Sequence, residues 1–177
     1  SQHTVISHKN QMLHNVYFET PERELRQMDM GLRVRRIDDQ STQTIKTSGR
    51  VIGGLHQRPE YNEMIEGLEP ELALFNQKIW PESCDVEQLQ RDLTPLFSTD
   101  FRRLHWLLEM QDGTLIEAAY DCGNIITEQG KQPICEIELE LVKGDEAQLF
   151  ILAKDIATLP SVRLGNVSKA QRGYMLV

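Results

Sequence analysis

Segment after segment of the chain alternates apolar and polar side chains with a period of two, the signature of half-buried strands. The clearest run is Cys-Glu-Ile-Glu-Leu-Glu-Leu at 135–141. Successive strand side chains face opposite ways, so Glu136, Glu138 and Glu140 share one face and Cys135, Ile137, Leu139 and Leu141 the other. The same alternation predicts strands over Leu13–Glu19, Leu32–Ile37, Thr42–Thr47 and, after the Gly53-Gly54 break, Leu55–Asn62. Asp38-Asp39-Gln40 supplies a turn between the second and third. The period then changes, and Glu69–Gln77 and Asp85–Leu93 read as short helices, the second capped by Asp85. A long strand over Phe97–Met110 turns at Asp112-Gly113 into Leu115–Tyr120. A further turn at Asp121-Cys122-Gly123 leads to Ile125–Glu128, and Ile134–Val142 carries the glutamates. Asp145–Thr158 places Leu149, Leu152, Ile156 and Leu159 near helical spacing, and Ser168–Leu176 reads as a last helix capped by Ser168. Residues 1–10 are polar and are expected to be a disordered lead-in to a domain over 11–177. About eight strands joined by hairpin turns, with few helices, predict an α+β fold whose antiparallel sheet curls or closes.

Composition narrows the picture only a little. The 177 residues fit one domain, and 40% hydrophobic with 26% charged residues is ordinary for a globular protein. A net charge of −8 argues against a general nucleic-acid surface. No apolar run approaches the ~20 residues that span a bilayer. Cys84, Cys122 and Cys135 are odd in number and form no C-x-x-C pair, which fits reduced thiols in a cytoplasmic protein. Cys122, in Asp-Cys-Gly, reads as a turn residue, and His56 and His105 as structural or supporting positions rather than zinc ligands.

The charges that alternation puts in phase change the picture more. Arg33 and Arg35 share a face, as do Arg58, Glu60 and Asn62, then Arg103 and His105, then Glu117, Ala119 and Asp121. Lys46 has Thr44 and Ser48 beside it. A sandwich with a wet outer face gives the same alternation. A charged interior is the alternative, and the wealth of Arg and Glu points to it. Arginine is suited to forked recognition of phosphate oxygens, and acids nearby would hold divalent cations.

Several segments, taken in order, resemble the CYTH domain of the triphosphate tunnel metalloenzymes. They are Val-Tyr-Phe-Glu-Thr-Pro at 16–21, Asp-Met-Gly-Leu-Arg-Val-Arg at 29–35, Thr-Ile-Lys-Thr-Ser-Gly-Arg at 44–50 and Gly-Leu-His-Gln-Arg-Pro-Glu-Tyr-Asn at 54–62. Leu-Phe-Ser-Thr-Asp-Phe-Arg-Arg at 96–103, the glutamate run at 135–141 and Ser-Lys-Ala-Gln-Arg-Gly-Tyr at 168–174 complete the set. The likeness is greatest to the N-terminal domain of bacterial two-domain inorganic triphosphatases, in which a CHAD domain follows. It implies an eight-stranded antiparallel β-tunnel with a charged lumen and flanking helices. It also implies metal-dependent hydrolysis of triphosphate, with Mg2+ or Mn2+ as cofactor. By the same resemblance, Arg33, Arg35, Lys46, Arg103 and Lys169 match the family's triphosphate-binding cations. Glu60, Glu117, Asp121, Glu136 and Glu138 match its acidic positions. The resemblance thus implies metal ligands at Glu117, Asp121, Glu136 and Glu138, and catalytic roles for Glu136, Glu138 and Lys169. Glu60 and Arg58 go with the substrate-binding group, Arg58 alternatively pairing with acids.

One family feature is missing. The E-x-E-x-K strand that opens the domain, and the helix after it, have no counterpart before Met12, since Ser1–Asn10 contains no acid. The domain is therefore expected to be incomplete at its N-terminus. Related members cyclise ATP or hydrolyse thiamine triphosphate, so a class IV-type adenylate cyclase acting on a nucleoside triphosphate, or a thiamine triphosphatase, using the same tunnel is the second reading. A non-catalytic polyphosphate- or nucleotide-binding module is the third.

Overall fold

Most of the alternating segments fold as strands, as their period demands. The computed structural model describes residues 3–48, 50–52 and 55–177. The strands are β1 (His3–Glu19), β2 (Gly31–Ile37), β3 (Gln40–Lys46), β4 (Arg50–Ile52), β5 (Leu55–Gln57), β6 (Glu60–Ile65), β7 (Thr94–Met110), β8 (Leu115–Thr127) and β9 (Gly130–Lys143). The helices are α1 (Glu24–Gln27), α2 (Val86–Asp92), α3 (Glu146–Ala157) and α4 (Lys169–Tyr174). Seven strands form one antiparallel sheet in the order β6-β3-β2-β1-β7-β8-β9, and β4 pairs with β5 in a separate hairpin. An α+β antiparallel fold is thus observed, with seven described strands in the main sheet where eight were expected. No described helix is long and apolar enough to cross a membrane.

The chain divides into two compact units. The first comprises the chain up to Met12, Phe101–Gly123 and Pro133–Gly165. Here Leu108, Met110, Ile116 and Ala118 are buried, as are Leu149 and Leu152 of α3. Asp145 caps α3 as its sequence predicts, its carboxylate accepting from the Ala147 amide at 2.9 Å. Gly144 before it needs to be glycine twice over. Its φ is 110°, and a Cβ there would lie 2.5 Å from Thr114 Oγ1.

The second unit comprises Leu13–Asp100, Asn124–Gln132 and Asn166–Val177. Its core gathers Phe18, Leu25, Leu32, Val34, Ile45, Leu72, Phe75, Trp80 and Leu89. Leu32 and Val34 of β2 fill that core, and alternation turns Arg33 and Arg35 to the opposite face. At the C-terminal end, Ser168 and Gln171 form a reciprocal capping box that starts α4.

Several expectations need correction. The expected lead-in at 1–10 is strand from His3 onward. Thr4, Val5 and Ile6 favour extended backbone, and Asn10 accepts a 2.8 Å bond from Arg102 Nε. The turn expected at Asp121-Cys122-Gly123 does not exist, because β8 runs unbroken from Leu115 to Thr127. Bonds from Arg103 on β7 hold Asp121 within the strand, overriding its turn propensity. The strand expected over Leu55–Asn62 is two, parted at Arg58-Pro59, where proline brings no N–H to the ladder. Gly53-Gly54 lies outside the described residues. The helix expected at Glu69–Gln77 is a pair of 3-10 turns, Leu72–Leu74 and Gln77–Ile79. Side-chain amides hold this segment instead. Gln43 bonds the Glu71 amide and carbonyl at 2.9 and 2.8 Å, and Gln90 bonds the Leu72 amide and the Pro70 carbonyl at 2.7 and 2.9 Å.

Tyr17, Phe97 and Tyr174 stack in series, with ring centroids 4.5 and 5.3 Å apart. Gly173 lets Phe97 approach α4, since a Cβ there would lie 2.1 Å from the ring. Gly173→Ala is expected to lower the unfolding free energy by roughly 1–3 kcal/mol through overpacking. Urea denaturation measures it, and an unchanged midpoint would contradict this packing.

Candidate active site

In the first unit, period-two alternation on three strands delivers Arg103 (β7), Asp121 (β8), and Glu136 and Glu138 (β9) to one cluster. Arg103 grips Asp121 with both arms of its guanidinium, at 2.7 Å from Nε to Oδ1 and 2.7 Å from Nη2 to Oδ2. The same Nη2 donates to Glu138 Oε2 at 2.6 Å. Such forked, charge-assisted bonds are among the strongest a side chain makes. Asp121 is fully buried. Burial works against the Arg103 charge, but the bonds to Asp121 and the charge of Glu138 outweigh it. Its pKa therefore lies above the ordinary guanidinium value.

Oxygens of Asp121, Glu136 and Glu138 all lie within 4.8 Å of one another. Hard carboxylate oxygens are the donors that Mg2+, Mn2+ or Ca2+ prefer. The cluster could therefore hold a divalent cation. Glu117 is not part of this group, and its Oε2 pairs with His105 Nε2 at 3.2 Å.

The second unit carries the other cations. Arg33 and Arg35 stand on β2 between β1 and β3, with Arg33 opposite Tyr17 and Thr44, and Arg35 opposite Asn15 and Thr42. Arg35 Nε donates to Asn15 Oδ1 at 2.7 Å, and Asn15 Nδ2 donates to Thr99 Oγ1 at 2.8 Å. Arg33 Nη2 reaches Thr44 Oγ1 at 3.4 Å, and Thr44 in turn donates to Asn62 Oδ1 at 2.6 Å. Arg33 Nε is buried with no hydrogen-bond partner among the described residues. A buried donor left unmade costs energy unless something else accepts from it. Lys169 is buried at the start of α4.

Lys46, Glu60 and Arg58, all expected at the substrate, have protein partners, as Arg103 does. Lys46 and Glu60 face each other across β3 and β6 and form a 2.5 Å ion pair. Arg58 donates from Nε to the Thr47 carbonyl at 2.7 Å, and from Nη2 to the Asp29 carbonyl at 3.1 Å and the Asp29 carboxylate at 3.2 Å. Asp29 has a positive φ of 54°, so Arg58 braces a strained turn.

Sequence reasoning missed the residues that hold the cations in place. Asn15 and Thr99 are fully buried, and their being in phase with the apolar Leu13 and Tyr17, and Phe97 and Phe101, was the available signal. Glu19 is another. It is 1% exposed and accepts from the amides of Thr20, Leu25 and Arg26 at 2.9, 3.0 and 3.0 Å, fixing α1.

Comparison with known proteins follows the same lines. Residues 2–174 match the model of the CYTH domain. Over 175 residues the chain is 42% identical to an inorganic triphosphatase of Haemophilus influenzae, covering 98% of this chain and 48% of that protein. The chain thus spans about half the length of the curated relative it matches. A solved Hippeastrum protein, described as a putative adenylyl cyclase with a dominant triphosphatase activity, superposes with a TM-score of 0.60 at 16% identity, over 94% of this chain and 83% of its own. A Pyrococcus horikoshii protein gives 0.56 at 15% identity, over 99% and 88%. A putative adenylate cyclase of Bacillus halodurans gives 0.54 at 18% identity, over 97% and 94%. These structural likenesses concern the fold.

Asn15→Leu keeps the branching of the side chain but removes both of its hydrogen bonds. Unfolding free energy is expected to fall by roughly 1–3 kcal/mol. Urea denaturation would show this as a lower midpoint, and a wild-type midpoint would contradict the role given to Asn15.

Proposed function

We propose that this chain, which belongs to the CYTH domain family, hydrolyses inorganic triphosphate to diphosphate and phosphate in the cytoplasm, with Mg2+ or Mn2+ bound. The observation that carries this reading is the gathering of Asp121, Glu136 and Glu138 oxygens within 4.8 Å. Phosphoryl transfer asks little covalent chemistry of a protein. It needs positioning and neutralisation of the phosphate charges. A divalent cation held by Asp121, Glu136 and Glu138 would supply positive charge to phosphate oxygens and polarise a water.

The chain's own residues do the rest. Arg103 keeps Asp121 and Glu138 oriented. Arg33 offers a buried Nε with no hydrogen-bond partner among the described residues, a donor suited to an anionic oxygen. Arg35, held by Asn15, presents a guanidinium of fixed direction. Lys169 places a compact ammonium at the start of α4. Lys46 and Glu60 form an exposed pair that an anionic substrate could compete for at small cost.

Phosphate release from tripolyphosphate, ATP and thiamine triphosphate, with and without Mg2+, tests the reading. Tripolyphosphate is expected to be the preferred substrate and the metal to be required. Glu138→Gln is expected to cut turnover by roughly 10²–10³-fold while the circular dichroism spectrum stays unchanged. Unchanged turnover in that variant would contradict the assignment. Binding without release in the wild type would favour a non-catalytic module.

A further inference from the structure

Behind the carboxylates, β8 and β9 carry a second cluster that the reaction does not use. Cys122 and Cys135 are exposed free thiols. Cys122 follows Asp121 and Cys135 precedes Glu136, so alternation sends both sulfurs to the face opposite the carboxylates. β8 ends at Thr127 and β9 begins at Gly130, a two-residue hairpin loop. Counting back along an unbroken ladder pairs Asp121 with Glu136 and Cys122 with Cys135. The neighbouring oxygens of Asp121 and Glu136 fit that register. So does Tyr120, on the same face as Cys122. Its hydroxyl lies 3.5 Å from Cys135 Sγ and also interacts with Cys122. Opposed residues of antiparallel strands have Cα atoms roughly 4.5–5.5 Å apart. A disulfide accepts roughly 4.4–6.8 Å.

We propose that Cys122 and Cys135 form a dithiol site that a two-electron oxidant, a peroxide or a small-molecule disulfide, converts to a cross-strand disulfide. Two S–H bonds break and one S–S bond forms. The two electrons and two protons reduce hydrogen peroxide to two waters, or a small disulfide to two thiols. The bond ties β8 to β9 at the residues next to Asp121 and Glu136, and leaves the carboxylate face chemically unchanged. Cys84 provides an internal reference. It packs against the core of the second unit, and burial, then Glu24 and Asp85, push its thiol pKa up.

The test treats the reduced chain with hydrogen peroxide or oxidised glutathione, alkylates the remaining thiols and maps the peptides by mass spectrometry. The expected product is a Cys122–Cys135 linked peptide, lighter by two hydrogens and reversed by dithiothreitol, with Cys84 alkylated. Cys122→Ser is expected to remove the link and leave Cys135 as a glutathione adduct. Alkylation of both thiols after oxidation would overturn the proposal. So would separate adducts on both in the wild type, or a link between two chains. Because the readout is a mass and not a turnover, the outcome is independent of the triphosphatase reading.

Discussion

Carboxylates crowded within 4.8 Å of one another repel unless positive charge stands among them. Arg103 supplies that charge. One guanidinium bonds Asp121 twice and Glu138 once, tying three consecutive strands through their side chains. Its burial makes the arrangement demanding, because a desolvated guanidinium without its carboxylates would be a heavy penalty. The same bonds keep β8 extended through Asp121-Cys122-Gly123. The acid therefore sits within the strand and the cysteine faces away.

The cations of the second unit are organised differently. Arg35 is steered by a neutral amide, Asn15, itself fixed by Thr99. Arg33 leans on Thr44, which is fixed by Asn62. An amide or hydroxyl oxygen that accepts from a guanidinium fixes the direction of its planar fork. Arg58 shows the contrast. Its bonds to Thr47 and Asp29 make it a brace for a strained turn.

Much of this was legible in the sequence because period two is local information. It assigned the faces of Arg33, Arg35, Arg103, Asp121, Glu136 and Glu138 before any pairing was known. Pairing and tertiary bonds are not local, and there the reading fell short. Asp-Cys-Gly looks like a turn until Arg103 is seen to hold it. The polar stretch His3–Asn10 looks loose until it is seen as the first half of a long strand. The segment around Leu72 looks helical until Gln43 and Gln90 are seen to take its backbone groups. Asn15 and Thr99 looked unremarkable because their value lies in a partner 84 residues away.

The central claim is that Asp121, Glu136 and Glu138 form a divalent-cation site. Electron paramagnetic resonance of Mn2+ titrated into the chain and into Glu136→Gln measures it most directly. The account predicts that the wild type depletes the free Mn2+ signal with saturable stoichiometry, and that the variant weakens this binding by at least roughly tenfold. Equal binding by the two proteins would contradict it.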